Sequence, residues 1–360
     1  MNADQDLVSE TLRQPAALSS WSLAEWDVLV RQARRAGLLA RLCILLDEDG
    51  FLSDVPASAR LHFEAERTLA HKFKRDVRWE VRCLWGALSS TNTQIYLLKG
   101  AAYVMANLPA ALGRTFTDVD IMVAKSDVEK VEITLHRKGW VTSNKLDAYD
   151  QQYYRRWMHE IPPLTNVIRG TTLDVHHTIV PETARSDVNA RKLMEAALPL
   201  EGHAGLWVLA PRDMVLHSAV HLFNEGEFAH GLRDLSDLDL LMRHFSSDPN
   251  FWQGLVERAF EFGLERPLYY AFRFTSRIFG TPVPERENQA LAAGSPGPVT
   301  GRVMDFLFFR ALRPDHPTCR LPLTGLALWL LYVRAHHLRM PPHLLVPHLI
   351  RKAISRRPEG

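Results

Sequence analysis

The sequence is short of the features that staple or anchor many proteins. Its three cysteines, Cys43, Cys83 and Cys319, stand far apart, each in or beside an apolar segment, and no CxxC pair occurs. Neither a disulfide framework nor a zinc knuckle is therefore expected, and the pattern suits a reducing cytosol. Long apolar runs are missing too. The longest, Leu321 to Val333, has 13 residues, too few to span a bilayer, and reads as a buried helix. The opening MNADQDLVSETLRQ is polar and acidic, unlike a signal peptide. Charge of one sign is also lacking: the formal net charge is +2, which gives no global pull towards nucleic acid or membrane. No internal repeat is visible. What remains is a chain of 360 residues with globular composition, long enough for two or three modest domains or one large core with appendages. A cytoplasmic location is the expectation.

Helical spacing dominates both ends. Apolar positions recur at three and four from Leu23 to Leu46, with Ser22 as an N-cap. A second helix is expected from about Ala59 to Leu88, with Leu69, Phe73, Val77, Val81, Leu84 and Leu88 on one face. The middle is different. Gln94–Leu98 and Asp118–Ala124 read as strands, Ala101–Leu108 and Ser126–Lys138 as helices, and Asn166–Ile168 with Thr171–Ile179 as a hairpin about Arg169-Gly170. After Pro211 helices return, through Leu222 and again over Leu232–Met242. The stretch from Leu255 to about Ile350 reads as helices broken at prolines, and Pro282–Pro298 as a loose linker. These readings give an α+β chain: a helical region over 1–91, a small mixed sheet with helices over 92–200, and a second helical region over 201–360.

One strand carries an unusual load. Asp118 and Asp120 are two apart, so in extended chain both carboxylates leave the same face, while Val119, Ile121 and Val123 leave the other. Two such charges repel unless something neutralises them, and a divalent cation held by carboxylate oxygens resolves the conflict. Asp174, between Leu173 and Val175 in LDVHH, offers a third carboxylate on a second strand, the arrangement a two-metal phosphoryl or nucleotidyl transfer site needs. Lys99, Gly100 and Ala101 form a strand-to-helix corner whose free N–H groups and lysine suit a triphosphate. Arg114 and Thr117, just before the aspartates, are placed to reach phosphate oxygens.

LLKGAA, an arginine, TDVDIMV and LDVHH together resemble the uncharacterised bacterial nucleotidyltransferases of the polymerase-β-like superfamily. The resemblance is strongest over 94–179 and extends more weakly to the helices on either side, GLLARL before the core and RDLSDLDLL after it. It implies a polymerase-β-like nucleotidyltransferase core, metal ligands at Asp118, Asp120 and Asp174, and phosphate contacts at Lys99, Gly100 and Arg114. It also implies Mg²⁺, or Mn²⁺, as cofactor, an NTP as donor, and NMP transfer to a hydroxyl or phosphate on a small molecule, peptide, protein or tRNA. Gly100-Ala101 departs from the Gly-Ser or Gly-Gly common in the superfamily, and the gap from Gly100 to Asp118 is longer than usual. A kinase-like transfer on the same fold, or a binding protein that does no chemistry, are the alternatives.

Other polar residues read as structural or as accessory. Asp237 and Asp239 repeat the DxD spacing, but Leu232, Leu235, Leu238 and Leu241 mark a helix there, on which residues two apart diverge by about 200°. They form no clamp, and Asp237 is expected to pair with Arg233. His217 and His221, four apart on a helix, read as a polar face lining the cleft and not as zinc ligands. His176 shares the face of Asp174 and is a possible acceptor contact; His177 should point the other way. After Asp315 one acid, Glu359, stands against seven Arg/Lys, which reads as packing with a basic rim.

Overall fold

A computed structural model of the chain describes residues 6–15, 21–116, 118–142, 151, 154–155, 157–184, 186 and 188–339. Thr117 and the basic tail beyond Arg339 lie outside the described residues.

Among the described residues seven strands form one sheet in the order β3-β4-β5-β2-β1-β7-β6. They are β1 (Ile95–Leu97), β2 (Asp118–Met122), β3 (Trp140–Thr142), β4 (Leu164–Asn166), β5 (Thr172–His176), β6 (Leu198–Pro199) and β7 (Leu206–Val208). The sheet is mixed: β2 runs parallel to β5 and antiparallel to β1, which itself runs parallel to β7. β4 and β5 make the expected hairpin, turning at Gly170 with φ 69°. The α+β architecture is thus the one read from the sequence.

The helical flanks follow their local signals with four corrections. The run 321–333, expected as a buried helix, leads into the helix Thr324–Arg339, but Leu323, Leu326, Leu328, Trp329 and Leu330 are exposed and only Ala327 and Leu331 of the run are buried, because one face alone packs on the core. Ser22 caps Leu23–Ala36 through a full capping box with Glu25, but the helix stops at Gly37, which adopts the left-handed conformation, and a separate helix runs Leu39–Glu48. Along the long helix Ala57–Leu88 the buried seam is Ala59, Phe63, Ala70, Val77, Val81, Leu84 and Leu88; Leu69 is exposed, because the seam passes through Ala70 where the helix meets its neighbours. The expected linker 282–298 holds a short helix, Glu285–Ala290, and a 3₁₀ turn that buries Leu291. Leu232, Leu235, Leu238 and Leu241 are all buried on the helix Gly231–Phe245, as the spacing required.

One apolar cluster extends from Leu7 to Leu331 and includes the sheet. The polar tie across it is a chain of buried ions. Arg41, on the helix Leu39–Glu48, gives Nη2 to Asp237 Oδ1 at 2.7 Å, and its other donors go to Ser236 and to the carbonyls of Ala110 and Leu112. The Arg114 guanidinium forms a further ion pair with Asp237, Nε lying 3.2 Å from Oδ2, and reaches Asp234 at 3.5 Å. Asp237 therefore does not pair with Arg233, which lies on Asp234 instead. Gly113 makes the approach possible: a Cβ there would stand 2.3 Å from the Arg41 backbone nitrogen.

Breaking a buried pair strands the remaining charge without solvent. Asp237→Asn should cost about 3–5 kcal/mol of stability, read as a lower urea midpoint at unchanged slope. A loss under about 1 kcal/mol, the range of exposed pairs, would mean that the two arginines find other partners.

Candidate active site

β2 and β5 place their side chains by register. Val119 stands beside Leu173 and Ile121 beside Val175, all buried, and this apolar face fixes the pairing. The opposite face is fixed with it. Asp120 lies directly beside Asp174, Asp118 beside Thr172, and Met122 beside His176. The three predicted carboxylates therefore share one surface. Asp118 is exposed at the start of β2, Asp174 is half-buried and Asp120 is 5% exposed.

Asp120 is the hub. Its Oδ1 accepts from Lys99 Nζ at 3.1 Å and meets His176 Nε2 at 3.2 Å. Burial alone would push this carboxyl up, but the Lys99 ammonium and the His176 contact outweigh it and hold it well below the usual carboxylate range. Lys99 answers in kind: burial lowers it, and Asp120 with Glu225 more than reverses that, so it stays charged. Burial also lowers His176, and Glu160 and Asp120 raise it beyond its ordinary value. Asp174 has no such cation. Burial, then the charges of Asp120 and Glu160, push it up to about 8. Its Oδ1 is buried without a hydrogen-bond partner. A carboxylate trio with one orphaned oxygen and one carboxyl kept protonated fits a hard divalent cation, whose charge would replace that proton.

The corner that precedes the trio is held by protein contacts. Lys99 opens the helix Lys99–Met105 with φ 41°, a strained value for a side-chain-bearing residue, and this turns its ammonium onto Asp120. Gly100 is required by a protein contact: a Cβ would stand 2.5 Å from the Phe116 ring. Arg114 stacks over Tyr103 and Phe116 and spends its charge on Asp237 and Asp234. It braces the corner from within. Ala101 is buried on the same helix. The predicted contact at Thr117 lies outside the described residues.

The helix Pro211–Asn224 closes one side. His217 is buried, and burial together with the charges of Lys99 and His176 holds it well below its usual value. His221 carries its ring to Glu225. Both thus line the cleft, as their spacing implied. Three groups were not read from the sequence: His159, Glu160 and Glu225. His159 and Glu160 reach the site only because Glu160 bridges His176 across strand edges, a contact no local spacing signals. Glu225 lies four residues after His221, a helical step that is the local signal for it.

A family model described as an uncharacterised nucleotidyltransferase matches residues 22–280. The match opens at the Ser22 cap and closes at Gly280, the left-handed cap of the helix Glu265–Phe279, so it takes in the sheet and helices on both sides. No curated protein and no solved structure matches the chain.

The raised Asp174 carboxyl makes a prediction of definite sign. Unfolded, the group loses its proton near pH 4; folded, it keeps it to about 8. Its share of stability is complete below pH 4 and is lost as pH rises towards 8. In EDTA, Asp174→Asn should therefore raise the melting temperature more at pH 9 than at pH 5, by at least about 2 °C. An equal effect at both pH values would place the Asp174 carboxyl in water.

Proposed function

Starting from the chain's membership of this nucleotidyltransferase family, we propose that it transfers a nucleoside monophosphate from an NTP to an acceptor hydroxyl or phosphate and releases pyrophosphate. The observation that carries this reading is the register that sets Asp118, Asp120 and Asp174 side by side on one sheet face. Asp118, Asp120 and Asp174 would hold Mg²⁺ or Mn²⁺, which when bound neutralises the trio and polarises the phosphate oxygens.

The chain's own groups do the rest. Lys99 and His176 fix the Asp120 carboxylate from behind, so the oxygen it shows the substrate is pre-oriented. The backbone N–H groups of Gly100 and Ala101, at the helix start, are offered to the triphosphate. Arg114 supports that corner through Phe116. Asp174 lies where it can orient the acceptor and take its proton. The acceptor oxygen forms the bond to the α-phosphorus, the bond to the pyrophosphate oxygen breaks, and the acceptor proton passes to the Asp174 carboxylate.

A second reading, a nucleotide-binding or partner protein that performs no transfer, draws on one observation: Lys99 already neutralises the most buried carboxylate of the trio. A thermal-shift panel separates the two. ATP, GTP, CTP and UTP would each be offered with Mg²⁺ or with EDTA. Transfer requires a shift that depends on the metal and that names the donor. Stabilisation that is equal in EDTA favours the second reading.

Asp118→Asn is the cleanest variant, since Asp118 is exposed and holds no ion pair among the described residues. Asp120→Asn leaves buried Lys99 facing a neutral amide and should lose stability as well as activity. With α-labelled nucleotide, Asp118→Asn should lower transfer by about 10²–10³ at an unchanged melting temperature. Retained activity would remove Asp118 from the site.

A further inference from the structure

Behind Asp120 the fold brings together three donors, of which the proposed transfer uses only His176, and only through its Nε2. His159, Glu160 and His176 each present one ligand atom, and these atoms lie within 4.8 Å of one another. Two are imidazoles buried to 4% and 2% exposure, and each has a buried Nδ1 with no hydrogen-bond partner. Orphaned nitrogens of this kind cost stability unless something binds them. His176 Nδ1 stands 3.4 Å from Glu160 Oε2. That is long for a hydrogen bond to a charged partner.

The backbone holds the three in place. Glu160 forms an antiparallel bridge with His176, Ile161 N–H donates to Val175 at 3.0 Å, and His177 N–H donates to the His159 carbonyl at 2.9 Å. Four steps from Glu160 to Leu164 face three from His176 to Leu173, so the strand carries one extra residue at Pro162-Pro163. A bulge of this kind re-aims side chains beside a site. Here it turns Glu160 to the side of His176.

We infer that His159, Glu160 and His176 form a second metal site, for a borderline transition ion such as Zn²⁺. Two imidazoles and one carboxylate suit such an ion, and three protein ligands leave a position open. The neighbouring trio is all oxygen and selects hard ions, so the two sites differ in donor chemistry as well as in place. They meet at one ring. His176 faces Asp120 with Nε2 and Glu160 with Nδ1, on opposite edges of the imidazole. An ion on Nδ1 fixes the tautomer that donates Nε2–H to Asp120, a carboxylate–histidine–metal relay. The inference concerns ion binding alone and does not rest on nucleotidyl transfer.

The test uses the full chain freed of metal by a chelator and then dialysed. Zn²⁺ is titrated by calorimetry, and Co²⁺ is added separately as a visible-absorbing probe. The expected result is one tight ion per chain in wild type and in Asp118→Asn, with a Co²⁺ spectrum showing nitrogen ligation. His159→Gln and Glu160→Gln should each weaken binding at least about tenfold, with folding checked by circular dichroism. Three outcomes overturn the site: no tight ion in wild type, wild-type affinity in both variants, or loss of binding in Asp118→Asn, which would place the ion in the carboxylate trio. If His159→Gln fails to fold, the near-isosteric Glu160→Gln and the wild-type Co²⁺ spectrum decide.

Discussion

The buried carboxylate of Asp237 holds two arginines that would otherwise be stranded in the interior. Arg41 comes from the N-terminal helices, Arg114 from the loop that leads into β2, and Asp237 from a C-terminal helix. Each charge is tolerable only because the others are there. The consequences run outward from Arg114. Its guanidinium stacks on Phe116, Phe116 fills the space where Gly100 lacks a Cβ, and Gly100 fixes the turn at which Lys99 swings onto Asp120. A helix outside the sheet thus sets the position of an ammonium in the cleft.

Much of this was legible because it is periodic. The strand alternation at 118–123 and 173–175 fixed which residues are core, and therefore which carboxylates share a face. The cap at Ser22, the leucine spacing on Gly231–Phe245 and the Gly170 turn are all local signals that survived packing. What was not legible has a common cause. Nothing local to the motif signals that Arg114 and Lys99 meet protein carboxylates, Asp237 and Asp120. Asp237 was assigned to Arg233 by helical spacing, and a longer-range partner won. His159 and Glu160 joined the cleft through a strand edge interrupted by two prolines, and prolines in the sequence argue against a strand.

Electrostatic balance in the cleft is uneven by construction. Lys99 and His176 converge on Asp120, while Asp174, one strand away, receives no cation and keeps its proton. Two carboxyl groups at matched positions on paired strands are driven to opposite protonation states. That difference is what lets one serve as a fixed anion and the other as a group that exchanges a proton or a cation.

The parallel pairing of β2 and β5 has a kinetic side. Parallel strands cannot close through a tight turn, and here the connection takes in β3, β4 and the segment from 123 to 171. The contact between Asp120 and Asp174 therefore forms only after a long loop has closed, at an entropic cost that local helices do not meet. The helical flanks fold on local information; the carboxylate face is assembled late. During synthesis on the ribosome the cleft cannot exist until β5 has emerged, so any ion or nucleotide the protein takes up meets a scaffold whose first helices are already in place.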